Sequence, residues 1–121
     1  MIKKSVRVLC GLALLGMVSV QGWAGFVSGT TLTAQWQEYK KRESSRVDYK
    51  ETDAAFYAGY VEGIADSGDG VLFTIGGNVS VQQVLSTVGK WLEDHPKDLN
   101  KPADFLVTQA LRAAYPLSEG K

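Results

Sequence analysis

The chain has 121 residues, with 13 Lys plus Arg against 13 Asp plus Glu, one His, one Cys and a formal net charge of zero. That length holds one domain with a modest core. The balanced charge gives no basic footprint of the kind a nucleic-acid backbone needs, and a lone His with a lone Cys cannot assemble a transition-metal site.

Residues 1–24 carry the pattern of a secretory signal peptide. Lys3, Lys4 and Arg7 form a positive start, Val8 to Val20 an apolar run, and Gly22, Trp23 and Ala24 put small residues three and one before a cut. The apolar run is 13 residues long, short of the roughly 20 that a spanning helix needs. Cys10 lies inside this run, too early for a lipidated cysteine. Cleavage after Ala24 is expected to leave 97 residues, 25–121, as a single helical domain with 10 Lys plus Arg against 13 acids and no cysteine. A net charge of about minus three keeps such a domain soluble and without a stable membrane anchor. Without disulfides, its thin core must rely on helix packing or on assembly, a homodimer included.

Residues 33–43 predict a first helix, with Thr31 or Thr33 as cap and Leu32, Trp36 and Tyr39 on one side; its tail, KKRESSR, reads as a solvated charge run. Residues 48–67 predict a second, capped by Asp53, with Phe56, Tyr60 and Ile64 at one-turn spacing. Gly59 and Gly63 lie beside them. Because glycine lowers helix propensity, the pair predicts a close approach of another helix. Residues 67–70, Ser-Gly-Asp-Gly, end the helix, and residues 71–75 read as a buried extended linker. The glycines of GDGVLFTIGG match neither a dinucleotide fingerprint nor a phosphate loop.

Ser80 caps a third predicted helix with one apolar stripe, Val81, Val84, Leu85, Val88, Trp91 and Leu92, and with Lys90, Glu93 and Asp94 toward solvent. His95-Pro96 stops it. The last helix opens near Pro102, with Phe105, Leu106, Ala110, Leu111 and Ala114 inward, Val107 and Tyr115 at the margins and Pro116 at its end. The short connection sets Trp91 against Phe105. The pattern is an all-α bundle of four main helices with one short extended segment. Its expected buried set includes Phe56, Tyr60, Val84, Leu85, Val88, Trp91, Leu106 and Leu111.

No catalytic, cofactor or metal residues emerge. His95 reads as a helix C-cap or surface residue, and the carboxylates are spread over helix surfaces. Function is therefore sought in binding, at two turns held by helices: Glu62, Asp66 and Asp69 around the glycine turn, and His95 with Lys97 in the next connection. Trp36 and Tyr39 are second candidates. Two classes of binder fit, an inhibitor that occludes an enzyme and a periplasmic structural or chaperone-like protein with another partner.

The ordered segments AGYVEGIAD (58–66), GNVSVQQV (77–84), VGKWLEDHP (88–96), Pro102-Ala103, and Val107 followed by ALRAAYP (110–116) resemble the Rap/Tai family of immunity proteins. The resemblance covers roughly residues 48–116. It implies a small exported all-α protein that protects a bacterium from a peptidoglycan amidase delivered by a type VI secretion system, with that amidase as partner and no cofactor. Family members typically carry cysteines, expected to form disulfides, near positions held here by Phe56, Phe73 and Leu117.

Overall fold

Four helices carry the chain in the computed structural model, which describes residues 26–118. They are α1 (Gly29–Glu43), α2 (Glu51–Gly68), α3 (Val81–Asp94) and α4 (Ala103–Ala114), with one 3-10 turn, Pro96–Asp98. Among the described residues there is no strand beyond two isolated bridges, Ser28 with Pro102 and Asp69 with Phe73. The fold is all-α, as the hydrophobic pattern predicts. The signal segment lies outside the described residues.

Helix α1 begins earlier than expected, because Ser28 is its cap: Ser28 Oγ accepts from the Thr31 amide at 3.1 Å. Two further amides of its first turn, Gly29 and Thr30, donate to Lys101 and Leu99 carbonyls, both at 2.9 Å, while Ala103 N donates to Val27 O at 2.7 Å. The starts of α1 and α4 thus satisfy each other's orphan groups. Leu32, Trp36 and Tyr39 enter the core from α1.

Helix α2 differs from its expected orientation. Asp53 lies within the first turn, not at the cap, which is Lys50 and makes no side-chain bond. The buried stripe is Ala54, Tyr57, Val61, Ala65 and Gly68, whereas Phe56 is 42% exposed and Tyr60 and Ile64 are half-buried. Both stripes have helical period. The one chosen presents small residues around Tyr57, which leaves room for the aromatic rings of α1: Tyr57 lies 5.3 Å from Trp36 and 5.5 Å from Tyr39, centroid to centroid. Tyr57 also donates its hydroxyl to Leu85 O at 2.7 Å, joining α2 to α3.

The close approach expected at Gly59 and Gly63 is absent, since both are exposed and nothing lies within 4 Å of where a Cβ would sit. Each costs the helix about 1 kcal/mol relative to Ala with no packing partner inside the described residues. The close approaches occur elsewhere. A Cβ on Gly68 would meet the Phe73 ring at 2.5 Å, and one on Gly89 would meet the Trp36 indole at 2.2 Å.

Residues 71–75 are not a buried linker. Gly70, at φ 81°, turns the chain, and Gly70 N donates to Phe73 O at 2.8 Å. Only Phe73 is buried; Val71 and Leu72 are exposed, at 68% and 45%. A turn this tight has room to bury one ring.

A capping box opens α3, with Ser80 Oγ accepting from Gln83 N and Gln83 Oε1 accepting from Ser80 N. Val84, Leu85, Val88 and Leu92 are buried as expected, but Val81 is exposed and Trp91 half-buried, stacked on His95 at 3.8 Å. In α4 the buried face is Ala103, Leu106, Val107, Ala110 and Leu111. At 100° per residue Phe105 falls on the opposite side, where it is 41% exposed with Lys101 Nζ 5.8 Å from its centroid, and Ala114 is exposed too. The α3–α4 pairing is centred on these buried stripes and not on Trp91 and Phe105. Phe73 and Leu117 flank segments that are hydrogen-bonded together: Thr74 N to Tyr115 O at 3.0 Å and Ser118 N to Thr74 Oγ1 at 2.7 Å.

Candidate partner-binding surface

The last two turns of α2 and its C-cap bring Glu62, Asp66 and Asp69 to one rim. They border a groove of about 180 Å³ whose floor is Ala65, Ile75, Val79, Val81 and Val84. Asp69 is held in place by the Ile75 amide, which donates to its Oδ1 at 2.9 Å, so the side chain fastens the far end of the 70–74 turn. Beyond Asp69 the turn carries Val71 and Leu72 outward. These two, with Arg112, Pro116 and Leu117, line a second depression of about 250 Å³. An acidic rim thus adjoins an exposed apolar tip on a turn anchored by Phe73. The sequence reading placed the acids here but took the tip for buried chain.

His95 and Lys97 form a separate place. His95 caps α3 through its backbone, donating from N to Leu92 O at 3.2 Å, and its Nδ1 lies 2.7 Å from Trp91 O. The ring is fixed by that bond and by its stacking on Trp91. Lys97 sits in the 3-10 turn, in a depression of about 350 Å³ shared with Asp94, Pro96 and Asp98. Val81 and Val84 belong to the first turn of α3 and His95 to its end. With 14 residues in the helix, the two candidate places are about 20 Å apart. One small cleft in a partner cannot receive both.

A wider concavity, about 660 Å³, lies between the second half of α1 and α3, lined by Trp36, Tyr39, Lys40, Lys41, Arg46, Gln82, Ser86 and Lys90 among others. Sequence reasoning missed it as a groove, because its cations belong to what reads as a solvated run. The cations of that run have partners already, whereas Lys90 on the α3 side is in no ion pair. Lys41 pairs with Glu38 at 2.9 Å, Arg46 with Asp48 at 2.6 Å, and Lys40 with Glu93.

Glu93 is exposed, as the α3 stripe predicts, yet it is fully engaged at the edge of this groove. Its Oε2 accepts from Trp36 Nε1 at 2.8 Å, from Gln37 Nε2 at 3.2 Å and from Lys40 Nζ. The Lys40 bond foremost, helped by those of Trp36 and Gln37, holds its carboxyl below the ordinary range, while burial opposes them. The groove is therefore stitched together by its own polar groups, and Trp36 and Tyr39 are core residues at 3% and 4% exposure. Among the described residues no group of three or more His, Cys, Asp or Glu is arranged to hold a metal ion, and no helix is long and apolar enough to cross a membrane.

Comparison with curated proteins gives no match. A family model does match, that of the Rap1a immunity proteins, over residues 28–117. The match starts at the cap of α1 and ends just past α4, and so takes in every helix, the acidic rim and the projecting turn. The chain belongs to the Rap1a immunity proteins.

Proposed function

We propose that this protein acts in the periplasm, after removal of residues 1–24, by binding and occluding a peptidoglycan amidase delivered by a type VI secretion system. Membership among immunity proteins makes it a binding protein and not an enzyme. The observation that carries the mode of binding is the turn after α2. It projects Val71 and Leu72 from a position pinned by Phe73 and by the Asp69–Ile75 bond, beside the acids Glu62 and Asp66.

Physically, an apolar tip on a pre-ordered turn loses little conformational entropy on entering a concave site. A few such buried contacts dominate affinity, and an acidic rim favours partners whose cleft carries His, Arg or Lys. The His95–Lys97 turn, at the other end of α3, contacts the partner outside that cleft or not at all. The test is titration of an amidase encoded beside this gene with the domain from residue 25 onward. Stoichiometric loss of peptidoglycan hydrolysis is expected; full activity with the domain in excess would sink the proposal.

A further inference from the structure

The projecting turn is clasped to the segment that follows α4. Thr74 N donates to Tyr115 O at 3.0 Å, and Thr74 Oγ1 accepts from Ser118 N at 2.7 Å. Leu117, between those two bonds, is 48% exposed and shares the depression of about 250 Å³ with Val71, Leu72, Pro116 and Arg112. Two segments thus make one apolar surface, and a single charged side chain lines it.

Arg112 comes to this surface from the last turn of α4, where it is exposed. Among the described cations, Lys50, Lys90, Lys97 and Arg112 are in no ion pair. Lys50 stands at the start of α2, Lys90 in the concavity between α1 and α3, and Lys97 in the 3-10 turn. Arg112 is the one beside Val71 and Leu72. The acids Glu62, Asp66 and Asp69 border the other depression and leave it unpaired. A cleft that closes over the turn therefore closes over this guanidinium as well. Stripped of water and without a partner, the charge would cost the complex more than burial of one apolar side chain returns. The cleft must supply the counter-charge.

We infer, resting on the occlusion reading, that Arg112 is a specificity-determining residue of the amidase interface, paired in the complex with a carboxylate on the cleft wall that faces the 71–74 turn. The planar guanidinium fork matches a carboxylate with two parallel hydrogen bonds. Acids along one depression and Arg112 in the next then admit a cleft whose charges run in the complementary order and repel one whose charges are reversed.

Arg112→Glu and Lys90→Glu change net charge equally, so the pair separates a local contact from bulk electrostatics. With the amidase encoded beside this gene, Arg112→Glu is expected to speed dissociation about tenfold or more and Lys90→Glu by less than about twofold, both unfolding at the parent's midpoint. Arg112→Lys, which keeps the charge, should recover most of the loss. One Asp→Lys or Glu→Lys change on the amidase cleft wall should restore binding to Arg112→Glu, as a direct pair requires. Inhibition by the parent with Arg112→Glu no worse than Lys90→Glu, or no wall carboxylate whose reversal rescues it, would overturn the inference and leave the occlusion reading standing. An amidase fully active in excess parent domain removes both. A parent dimer that Arg112→Glu dissociates would also overturn the inference, by giving the surface to a second copy.

Discussion

Gly89 of α3 and Trp36 of α1 occupy the same space: a Cβ on the glycine would lie 2.2 Å from two carbons of the indole. The indole is 3% exposed and tied by its Nε1–H to Glu93, four residues further along the same helix. It cannot retreat without losing that bond. Gly89→Ala is therefore expected to destabilise the domain by about 1–3 kcal/mol through overpacking, although alanine is the better helix former. Urea unfolding of the purified domain measures this directly. An unfolding midpoint at or above that of the parent would show that Trp36 can move aside.

The glycines of α2 separate into two kinds, and substitution should reveal both. Gly59→Ala and Gly63→Ala meet open space and should each stabilise by about 0.5–1 kcal/mol. Gly68→Ala places a methyl 2.5 Å from the Phe73 ring and should destabilise, releasing the turn that Phe73 anchors. Thermal unfolding of the three variants under one condition gives opposite signs. The same sign for all would mean that the Gly68 contact relaxes freely.

These glycines also mark where the sequence was and was not legible. The all-α class, the capping box at Ser80, the ends of α3 and most of its buried stripe follow from local signals: a cap residue, a 3.6-residue period and a proline. What failed was rotation. In α2 the stripe of Phe56, Tyr60 and Ile64 is as apolar as that of Ala54, Tyr57, Val61, Ala65 and Gly68, yet the one whose small residues surround Tyr57 faces inward, because Trp36 and Tyr39 already fill the space opposite. Which face a helix buries depends on the volume its neighbours supply, and that is a property of the assembled core. The candidate site shows the same limit. Glu62, Asp66 and Asp69 do share one rim, as helical spacing and a nearby turn require, but the outward path of Val71 and Leu72 depends on Phe73 packing against Gly68, a contact no local pattern announces.

Glu93 links acid stability to the joint between α1 and α3. Its pKa is lowered in the folded protein from an ordinary 4.5, first by Lys40, then by Trp36 and Gln37. A depressed carboxyl contributes stability above its unfolded pKa and loses it as pH falls through the folded value. Glu93→Gln should therefore lower stability near neutral pH and flatten the decline below about pH 4.5, leaving the slope that Glu38 and Asp48, also lowered, contribute. Urea midpoints at pH 7, 5, 4 and 3 for parent and variant decide it. Parallel curves would show that the three donors do not favour the ionised form.

Leu85 and Tyr57 test the centre of the core. Leu85 is 2% exposed, and its carbonyl accepts the Tyr57 hydroxyl at 2.7 Å. Leu85→Ala should cost about 2–5 kcal/mol. Tyr57→Phe keeps the ring against Trp36 and Tyr39 and should cost about 1 kcal/mol, the net worth of one hydrogen bond. Burial holds the Tyr57 hydroxyl well above its usual pKa, so its phenolate should be absent from an absorbance titration until the domain unfolds. A folded-state phenolate near pH 10 would place that ring at the surface.

The binding mode is tested at three side chains whose structural duties differ. Leu72 is exposed at the tip of the turn and Asp66 is exposed on its rim, whereas Asp69 accepts from the Ile75 amide and shapes the turn. Leu72→Ser should therefore leave unfolding unchanged and weaken amidase inhibition by about 1 kcal/mol or more, the loss expected of a buried interface contact. Asp66→Lys should act through charge: slower association, with the difference from the parent shrinking as salt is raised. Asp69→Lys combines lost charge with a loosened turn and should be the most harmful of the three, while Asp69→Asn, which keeps an acceptor for Ile75 N, recovers part of the loss. His95→Ala and Lys97→Ala lie at the other end of α3 and should change inhibition less than any of these. If those two weaken inhibition most and Leu72→Ser has no effect, the cleft is entered from the α3–α4 end and the projecting turn serves another purpose.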